Sequence, residues 1–240
     1  MAHSNPLAVR IDLGTTFSAV AYLDDLGRPV TLQNGEGDKI TPSVILFEGN
    51  DVIVGKEAVK AFATDYDDIA ECAKRELGYR MFQKQLAGRQ YPPEALEAWI
   101  LNKLRIDAQA QIGDFHKVVV TVPAYFDEVR RKATQDAGYM AGFEVMDIIN
   151  EPTAAAVAFG FAQGFLKADG SAPEEQTILV YDLGGGTFDV TVMRLRDSDF
   201  VALATDGDVR LGGRDWDQRL VDYVAEDFIR KFGIDPRDDA

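Results

Sequence analysis

Residues 9–21 read V-R-I-D-L-G-T-T-F-S-A-V-A, and residues 179–192 repeat the same plan as L-V-Y-D-L-G-G-G-T-F-D-V-T-V. In each copy an apolar strand ends at an aspartate, Asp12 or Asp182, and a Gly/Thr turn leads into a second β-prone run. Glycine lets such a turn close tightly and lets backbone N–H groups approach an anion. Because Asp and Gly are also ordinary turn residues, one copy alone would indicate a simple β-hairpin. Two copies favour a clamp on a polyphosphate and its metal ion.

Composition limits the classes of function. The chain has 240 residues, 46% hydrophobic residues and a net charge of -15, which is enough to form one large domain or two lobes. An acidic balance argues against nonspecific binding to nucleic acid or anionic membranes. The single cysteine, Cys72, permits no intramolecular disulfide and fits a reducing compartment. With no signal-peptide pattern and no membrane-length apolar run, we expect a cytoplasmic protein.

Alternating strand and helix patterns predict an α/β protein. The predicted strands cover residues 7–13, 17–23, 29–32, 43–47, 52–54, 117–122, 143–149 and 200–205. The predicted helices cover residues 55–64, 69–77, 93–112, 128–141, 152–161 and 216–232. Residues 163–176 contain Gly, Ser, Pro and acidic residues, which predicts an exposed loop, and Gly207-Asp208 predicts a turn.

Several common site motifs do not occur in the sequence. There is no P-loop, no G-x-G-x-x-G opening a βαβ unit and no G-x-S-x-G nucleophile elbow. Only two histidines are present, His3 and His116, so a histidine-rich zinc site is not expected.

Five segments resemble the ATPase domain of the heat-shock-70 chaperones, and they occur in the order and approximate spacing of that family. They are I-D-L-G-T-T (11–16), V-T-V-P-A-Y-F (120–126), I-N-E-P-T-A-A-A (149–156), Y-D-L-G-G-G-T-F-D (181–189) and L-G-G-R-D-W-D (211–217). The resemblance extends from about residue 8 to the C-terminus. It implies the actin-like ATPase (ribonuclease-H-like) fold of the actin and sugar-kinase superfamily, in which two lobes with mixed sheets enclose ATP.

The resemblance also implies a division of the chain. Residues 1–176 would form the first lobe, with a core of about 7–36 and 117–176 and an inserted subdomain of about 37–116. Residues 177–240 would begin a second lobe. The family's adenosine-binding segments, interdomain linker and peptide-binding domain would follow later. We therefore expect a second lobe that is truncated, weak nucleotide binding and no peptide binding by this chain alone.

The resemblance assigns roles in binding to the two turns. Asp12 and Asp182 would hold Mg²⁺ through water, since Mg²⁺ usually keeps several water ligands. The turns would wrap the β- and γ-phosphates of ATP or ADP through Gly14, Thr15, Thr16, Gly184, Gly185, Gly186 and Thr187.

Further residues would carry the chemistry and its regulation. The implied catalytic residues are Glu151, Asp182, Thr187, Asp189 and Lys74. Glu151 would lie near the metal and the attacking water, Asp189 would help to order that water, and Lys74 would reach the γ-phosphate. Pro123 and Arg131 would be the switch pair that relays nucleotide state to the peptide-binding domain.

Each of these positions also has an ordinary structural interpretation. Asp189 could be a polar residue on the solvent face of its strand, and Glu151 could be an acidic residue favoured by a helix N-terminus. Lys74 and Arg131 could be solvated helix residues, and Pro123 could simply end a strand.

Four features depart from the family pattern. The segment before Lys74 lacks the usual Asn-Pro segment, which loosens the local match. Glu76 replaces an apolar residue, Arg214 stands where an acidic or small polar residue is common, and Trp216 replaces a phenylalanine. These departures indicate a divergent member.

The expected function is that of a Mg²⁺-dependent ATPase domain in a heat-shock-70-like chaperone of the stress response. Hydrolysis would be slow, and nucleotide state would control the binding of unfolded peptides elsewhere in the full-length protein, together with co-chaperones. Two alternatives stay open at this point: a nucleotide-gated scaffold without turnover, and a small-molecule kinase of the same superfamily.

Overall fold

The computed structural model describes residues 9–167 and 170–238. Its strands are β1 (Val9–Asp12), β2 (Phe17–Leu23), β3 (Pro29–Thr31), β4 (Thr41–Pro42), β5 (Val44–Glu48), β6 (Asp51–Val54), β7 (Ile69–Glu71), β8 (Lys117–Val122), β9 (Glu144–Asn150), β10 (Ala172–Leu183), β11 (Phe188–Asp197) and β12 (Asp199–Asp208). Its α-helices are α1 (Lys56–Lys60), α2 (Pro93–Ile112), α3 (Glu128–Met140), α4 (Glu151–Gln163) and α5 (Gly213–Phe232). Short 3-10 helices cover Ala61–Ala63, Tyr66–Asp68, Ala73–Glu76 and Pro236–Asp238.

A six-stranded mixed sheet carries the first hairpin. Its order is β3-β2-β1-β8-β9, with β4 paired to β2. Strand β1 runs antiparallel to β2 and parallel to β8, and β8 runs parallel to β9. Because parallel strands end at the same edge of a sheet, Asp12, Thr121 and the start of α4 at Glu151 meet at that edge.

Helix α2 covers one face of this sheet and forms the main core. Residues on β1 and β8 alternate between buried and more exposed positions, as expected for strands with one face on the core. The buried face packs against apolar side chains of α2, including Leu96, Ile100, Leu101 and Leu104. The predicted strand at 117–122 and the predicted helix at 93–112 are confirmed.

Helix α3 connects β8 to β9. The Asp127 side chain caps its N-terminus by accepting a hydrogen bond of 2.9 Å from the backbone N–H of Arg130. Gly142, with φ of 83°, follows its C-terminus in the left-handed conformation that glycine tolerates. The predicted cap and stop of this helix are confirmed, and residues 7 and 8 of the first predicted strand lie outside the described residues.

A three-stranded sheet of order β6-β5-β7 is built from strands between residues 44 and 71. The helix predicted at residues 69–77 is wrong: Ile69–Glu71 forms β7, which pairs with β5, and Cys72 then takes a left-handed φ of 56° before a 3-10 helix. Ile69 and Ala70 are buried in this sheet. Pairing with the central strand β5 therefore outweighs the local helix pattern.

The second hairpin belongs to an antiparallel sheet of order β10-β11-β12. The loop predicted for residues 163–176 is wrong at both ends, because α4 includes Gln163 and β10 begins at Ala172. Residues 168 and 169 of that loop lie outside the described residues. Pairing with β11 extends β10 in a way that composition alone does not show.

Two further predictions near the C-terminus require correction. Gly207-Asp208 does not form a turn but ends β12, with Gly207 opposite Asp189 on β11. A Cβ atom at Gly207 would lie 2.3 Å from the carbonyl oxygen of Phe188, so the close approach of two backbones requires glycine there. Helix α5 begins at Gly213, three residues before the predicted start at Trp216. It ends before Gly233, as predicted.

The second sheet has much less apolar cover than the first. Leu179, Tyr181 and Leu203 are exposed on its strands, and its buried cluster contains few residues. Among the described helices, none is long and apolar enough to cross a membrane.

Candidate functional site

A cleft of about 460 Å³ lies between the two Gly/Thr turns. It is bounded by the first turn, the second turn, the 3-10 helix that carries Lys74 and the N-terminal part of α4. The lining residues are Asp12, Gly14, Thr15, Thr16, Phe17, Lys74, Thr121, Glu151, Ala154, Ala155, Asp182, Gly184, Gly185, Gly186 and Thr187. The fold thus brings most of the predicted site residues to one place.

Hydrogen bonds fix the first turn. The backbone N–H of Gly14 donates to Oγ of Ser18 at 3.2 Å, and Oγ of Ser43 donates to the carbonyl oxygen of Gly14 at 2.8 Å. Beside the turn, Oγ1 of Thr121 donates to Oδ1 of Asp12 at 2.8 Å. This bond orients the carboxylate at the end of β1.

The N-terminus of α5 supports the second turn. The backbone N–H groups of Gly213 and Arg214 donate to the carbonyl oxygens of Gly184 and Gly185 at 3.1 and 3.0 Å. A Cβ atom at Gly212 would lie 2.5 Å from the backbone of Gly185. Glycine at this position therefore lets the helix come directly against the turn.

The two turns contact each other across the cleft. A Cβ atom on Gly185 would lie 1.9 Å from Oγ1 of Thr16, and one on Gly186 would lie 2.2 Å from Cγ2 of Thr15. Arg75 adds to this junction, since its Nε donates to the carbonyl oxygen of Gly186 at 2.7 Å. The glycines of the second turn therefore pack directly against the threonines of the first turn, and a side chain at Gly185 or Gly186 would clash with them.

A buried ion pair lies at the back of the cleft. Nζ of Lys74 donates to Oε1 of Glu151 at 2.6 Å. Burial opposes the charge of Lys74, but the carboxylates of Glu151, Asp12 and Glu97 raise its pKa above the ordinary value. Burial also raises the pKa of Glu151. Lys74 is therefore held as a cation inside the site and is not a solvated helix residue.

Two further carboxylates surround this pair. Burial, together with the charges of Glu151 and Asp182, raises the pKa of Asp189 to about 6. Burial and then the charge of Asp12 raise the pKa of Asp182. Oδ1 of Asp189 is buried and finds no hydrogen-bond partner among the residues described, and its side chain does not line the cleft directly. Its burial argues against the interpretation as a solvent-facing polar residue.

The carboxylates fit a water-bridged magnesium ion. Within residues 9–167 and 170–238, no group of three or more His, Cys, Asp or Glu side chains forms a direct metal cluster. Asp12 and Asp182 nevertheless face the same cleft, and the charge of Asp12 helps to raise the pKa of Asp182. Mg²⁺ relieves such repulsion and is commonly bound by one or two carboxylates, water and substrate phosphates.

The predicted switch pair lies outside the cleft. Arg131 on α3 donates to the carbonyl oxygen of Phe126 at 2.9 Å and to Oδ1 of Asn150 at 2.6 Å. The carbonyl oxygen of Pro123 accepts from the backbone N–H of the same Phe126 at 3.1 Å. Arg131 is thereby connected to the residue that precedes Glu151, and its role in a switch stays a prediction.

Comparison with known proteins identifies the family. A family model described as "Hsp70 protein" matches residues 8–87 and 80–240. The chain belongs to the Hsp70 family. Proteins named "Chaperone protein DnaK" from Thermotoga neapolitana and Thermotoga petrophila are 42% and 41% identical to this Hsp70-family chain over its whole length. The chain spans 39% of the length of each of these relatives.

Family membership confirms the predicted fold class. The mixed α/β architecture with several sheets is that of the actin-like ATPase fold of the Hsp70 N-terminal region. The comparisons do not favour either alternative, the scaffold without turnover or the small-molecule kinase.

Reasoning from sequence missed several residues at the site. Thr121 could have been found from the parallel register that places it beside Asp12. Glu97 had a clear signal, because it lies four and seven positions before the buried residues Leu101 and Leu104 on one face of α2. Arg75 gave no such signal, since it contacts the second turn only through the fold.

Proposed function

We propose that this chain forms the phosphate-binding part of a Mg²⁺-dependent ATPase site in a molecular chaperone of the Hsp70 type. One observation carries the proposal: two Gly/Thr turns meet at a single cleft that also contains a buried Lys74–Glu151 pair. Backbone donors, a cation and carboxylates together are what binding of a nucleotide's β- and γ-phosphates and magnesium requires.

Each group has a role in phosphoryl transfer to water. The backbone of Gly14 and of Gly184–Gly186, with the hydroxyl groups of Thr15, Thr16 and Thr187, would hold the phosphate oxygens of ATP or ADP. Lys74 would neutralise charge on the terminal phosphate. When bound through Asp12 and Asp182, Mg²⁺ supplies further charge neutralisation.

The attacking water would be oriented by two carboxylates. Glu151 lines the cleft and would accept a hydrogen bond from the attacking water. Asp189, whose pKa is raised by burial and by the charge of Glu151, would help to order that water from behind the cleft lining. Among the described residues that line the cleft, Glu151 is paired with Lys74 at 2.6 Å and would therefore be a weak base. Slow hydrolysis follows, which suits a timer for a chaperone cycle better than a metabolic enzyme.

The larger protein would couple this chemistry to peptide binding. Because the chain spans 39% of its relatives' length, unfolded peptides and co-chaperones belong to the full-length protein in this proposal. Arg131 and Pro123 would relay nucleotide state, since Arg131 is bonded to Asn150 beside Glu151. Residues 1–176 would form one lobe and 177–240 the start of another. The cytoplasm is the proposed location.

Calorimetric titration with ADP in the presence and absence of Mg²⁺ tests the proposal. We expect magnesium-dependent binding by the wild-type chain and at least a roughly tenfold loss of affinity in the Asp182→Ala variant. Asp199→Ala, which changes an exposed aspartate of the same sheet, is the matched control and should bind like the wild type. Equal affinity of Asp182→Ala and wild type, or no binding by a folded wild-type chain at millimolar nucleotide, would contradict it.

A further inference from the structure

Helix α2 contains a buried carboxyl group that the proposed chemistry does not use. Glu97 is 1% exposed, and its Oε2 atom has no hydrogen-bond partner among the described residues. The position lies on the apolar face of the helix with Leu101 and Leu104. Burying a carboxyl group without a partner is costly, so its presence in this core requires an explanation.

The positively charged group that acts on Glu97 is Lys74, the lysine of the candidate site. Helix α2 packs against the 3-10 helix Ala73–Glu76, which carries Lys74. In the described part of the chain, Lys74 is the charged group that acts on Glu97. The carboxylates of Glu151, Asp12 and Glu97 in turn raise the pKa of Lys74. Glu97 lies in the core on the buried face of α2 and does not line the cleft, whereas Glu151 lines the cleft and contacts the ammonium group of Lys74.

The environment holds Glu97 in its neutral form at neutral pH. Burial raises the pKa of Glu97 to about 8, although the positive charge of Lys74 partly offsets this rise. Below that pH the group is a neutral carboxylic acid. Above that pH Glu97 is ionised, and it adds a second negative charge near Lys74 to that of Glu151.

We propose that Glu97 is a positioning residue for Lys74 whose loss of a proton weakens the binding of nucleotide phosphates in the cleft. This inference rests on the proposed function. With neutral Glu97, the ammonium group of Lys74 is shared between Glu151 and an incoming phosphate. With ionised Glu97, two buried carboxylates neutralise Lys74, and the added negative charge repels the phosphate through a medium that screens it poorly.

Binding of ADP with Mg²⁺ measured from pH 6.5 to pH 9 tests the inference. We expect the affinity of the wild type to fall roughly three- to tenfold between pH 7 and pH 9. Glu97→Gln should keep the high affinity at every pH. Glu94→Gln, a change on the first turn of the same helix, is the matched control and should follow the wild type. A parallel fall in Glu97→Gln and the wild type would overturn the inference.

A second measurement, without nucleotide, reports the proton directly. Because the pKa of Glu97 is higher in the folded than in the unfolded state, its contribution to stability is fully present below about pH 4.5 and is lost as the pH rises to about 8. The urea midpoint of Glu97→Gln should therefore rise relative to the wild type between pH 5 and 8. Glu97→Met is apolar and of similar length, and its midpoint should show the same dependence on pH as that of Glu97→Gln. It serves as the reference if the amide of Glu97→Gln packs poorly in the core.

The two measurements separate this inference from the proposed function. Identical pH profiles of unfolding in the wild type and both Glu97 variants would overturn the role of Glu97 and leave the proposed function standing. The expected unfolding profiles without nucleotide binding at any pH would overturn the proposed function and, with it, the control of phosphate binding.

Discussion

The two hairpins share a motif and differ in what supports them. Leu13 and Leu183 occupy the same position after the aspartate, yet Leu13 is 0% exposed and Leu183 is 37% exposed. The first hairpin lies in a six-stranded sheet against the main core, whereas the second lies in a three-stranded sheet with exposed apolar side chains. The motif thus determines the shape of the turn and the place of the carboxylate, and the surroundings determine its stability.

Different contacts hold the two turns. The first turn is fixed by hydrogen bonds among Gly14, Ser18 and Ser43 and by the core beneath it. The second turn is fixed by close backbone contacts with Gly212 and the start of α5. Truncation of a buried side chain should therefore lower stability most in the first hairpin. A methyl group added to a glycine should lower stability most in the second hairpin.

Replacing the equivalent leucines gives the largest expected difference. Leu13→Ala should lower the free energy of unfolding by about 2–5 kcal/mol, because it leaves a cavity in the core. Leu183→Ala should lower it by less than about 1 kcal/mol, since that side chain already contacts solvent. Urea unfolding of both variants checks the pair. Equal losses in the free energy of unfolding would mean that the exposed apolar side chains of the second sheet are buried in solution.

Adding a methyl group at Gly212 tests the second turn. Gly212→Ala should cost about 1–3 kcal/mol, because the new Cβ would meet the backbone of Gly185, which cannot move aside as a flexible side chain can. Gly213→Ala is the control, with its nearest neighbour 3.9 Å from the new Cβ. Thermal unfolding and ADP titration of both variants measure the effect. A harmless Gly212→Ala would show that α5 does not support the turn.

Local patterns predicted most of the fold. Strand β8 and helix α2 are predicted at their observed positions, the strand from a run of β-branched residues and the helix from apolar residues at four-residue spacing. Strand β7 and the start of β10 are not, because both depend on pairing with a distant strand. A chain of three residues such as Ile69–Glu71 has no intrinsic signal that could compete with a helix pattern.

The candidate site shows the same division. The two turns and Glu151 could be located from motifs, and the fold brings them to one cleft. The pairing of Lys74 with Glu151 links residues 77 positions apart, and it could be expected only through the family resemblance. The helix period alone places Glu97 on the apolar face of α2, but its effect on Lys74 depends on the packing of α2 against the 3-10 helix Ala73–Glu76, which the sequence does not show.

An ion pair between α5 and β7 gives the smallest expected effect and sharpens the comparison. Arg214 donates two hydrogen bonds to the carboxylate of Glu71, and its side chain is 42% exposed. Because solvent screens such a pair, Arg214→Gln should cost no more than about 1 kcal/mol, and less at high salt. Arg210→Gln, an exposed arginine near the same helix, is the control.

The size of that loss decides what anchors the second hairpin. Arg214 stands at a position where the sequence departs from the pattern it otherwise resembles, and it connects α5 to the strand that leads into Lys74. A small, salt-sensitive loss would leave the glycine contacts at Gly212 and Gly185 as the main support of the second turn. A loss above about 2 kcal/mol, beyond what exposed pairs give, would instead make the ion pair the main anchor. The support of the second hairpin would then be electrostatic, in contrast to the apolar core beneath the first.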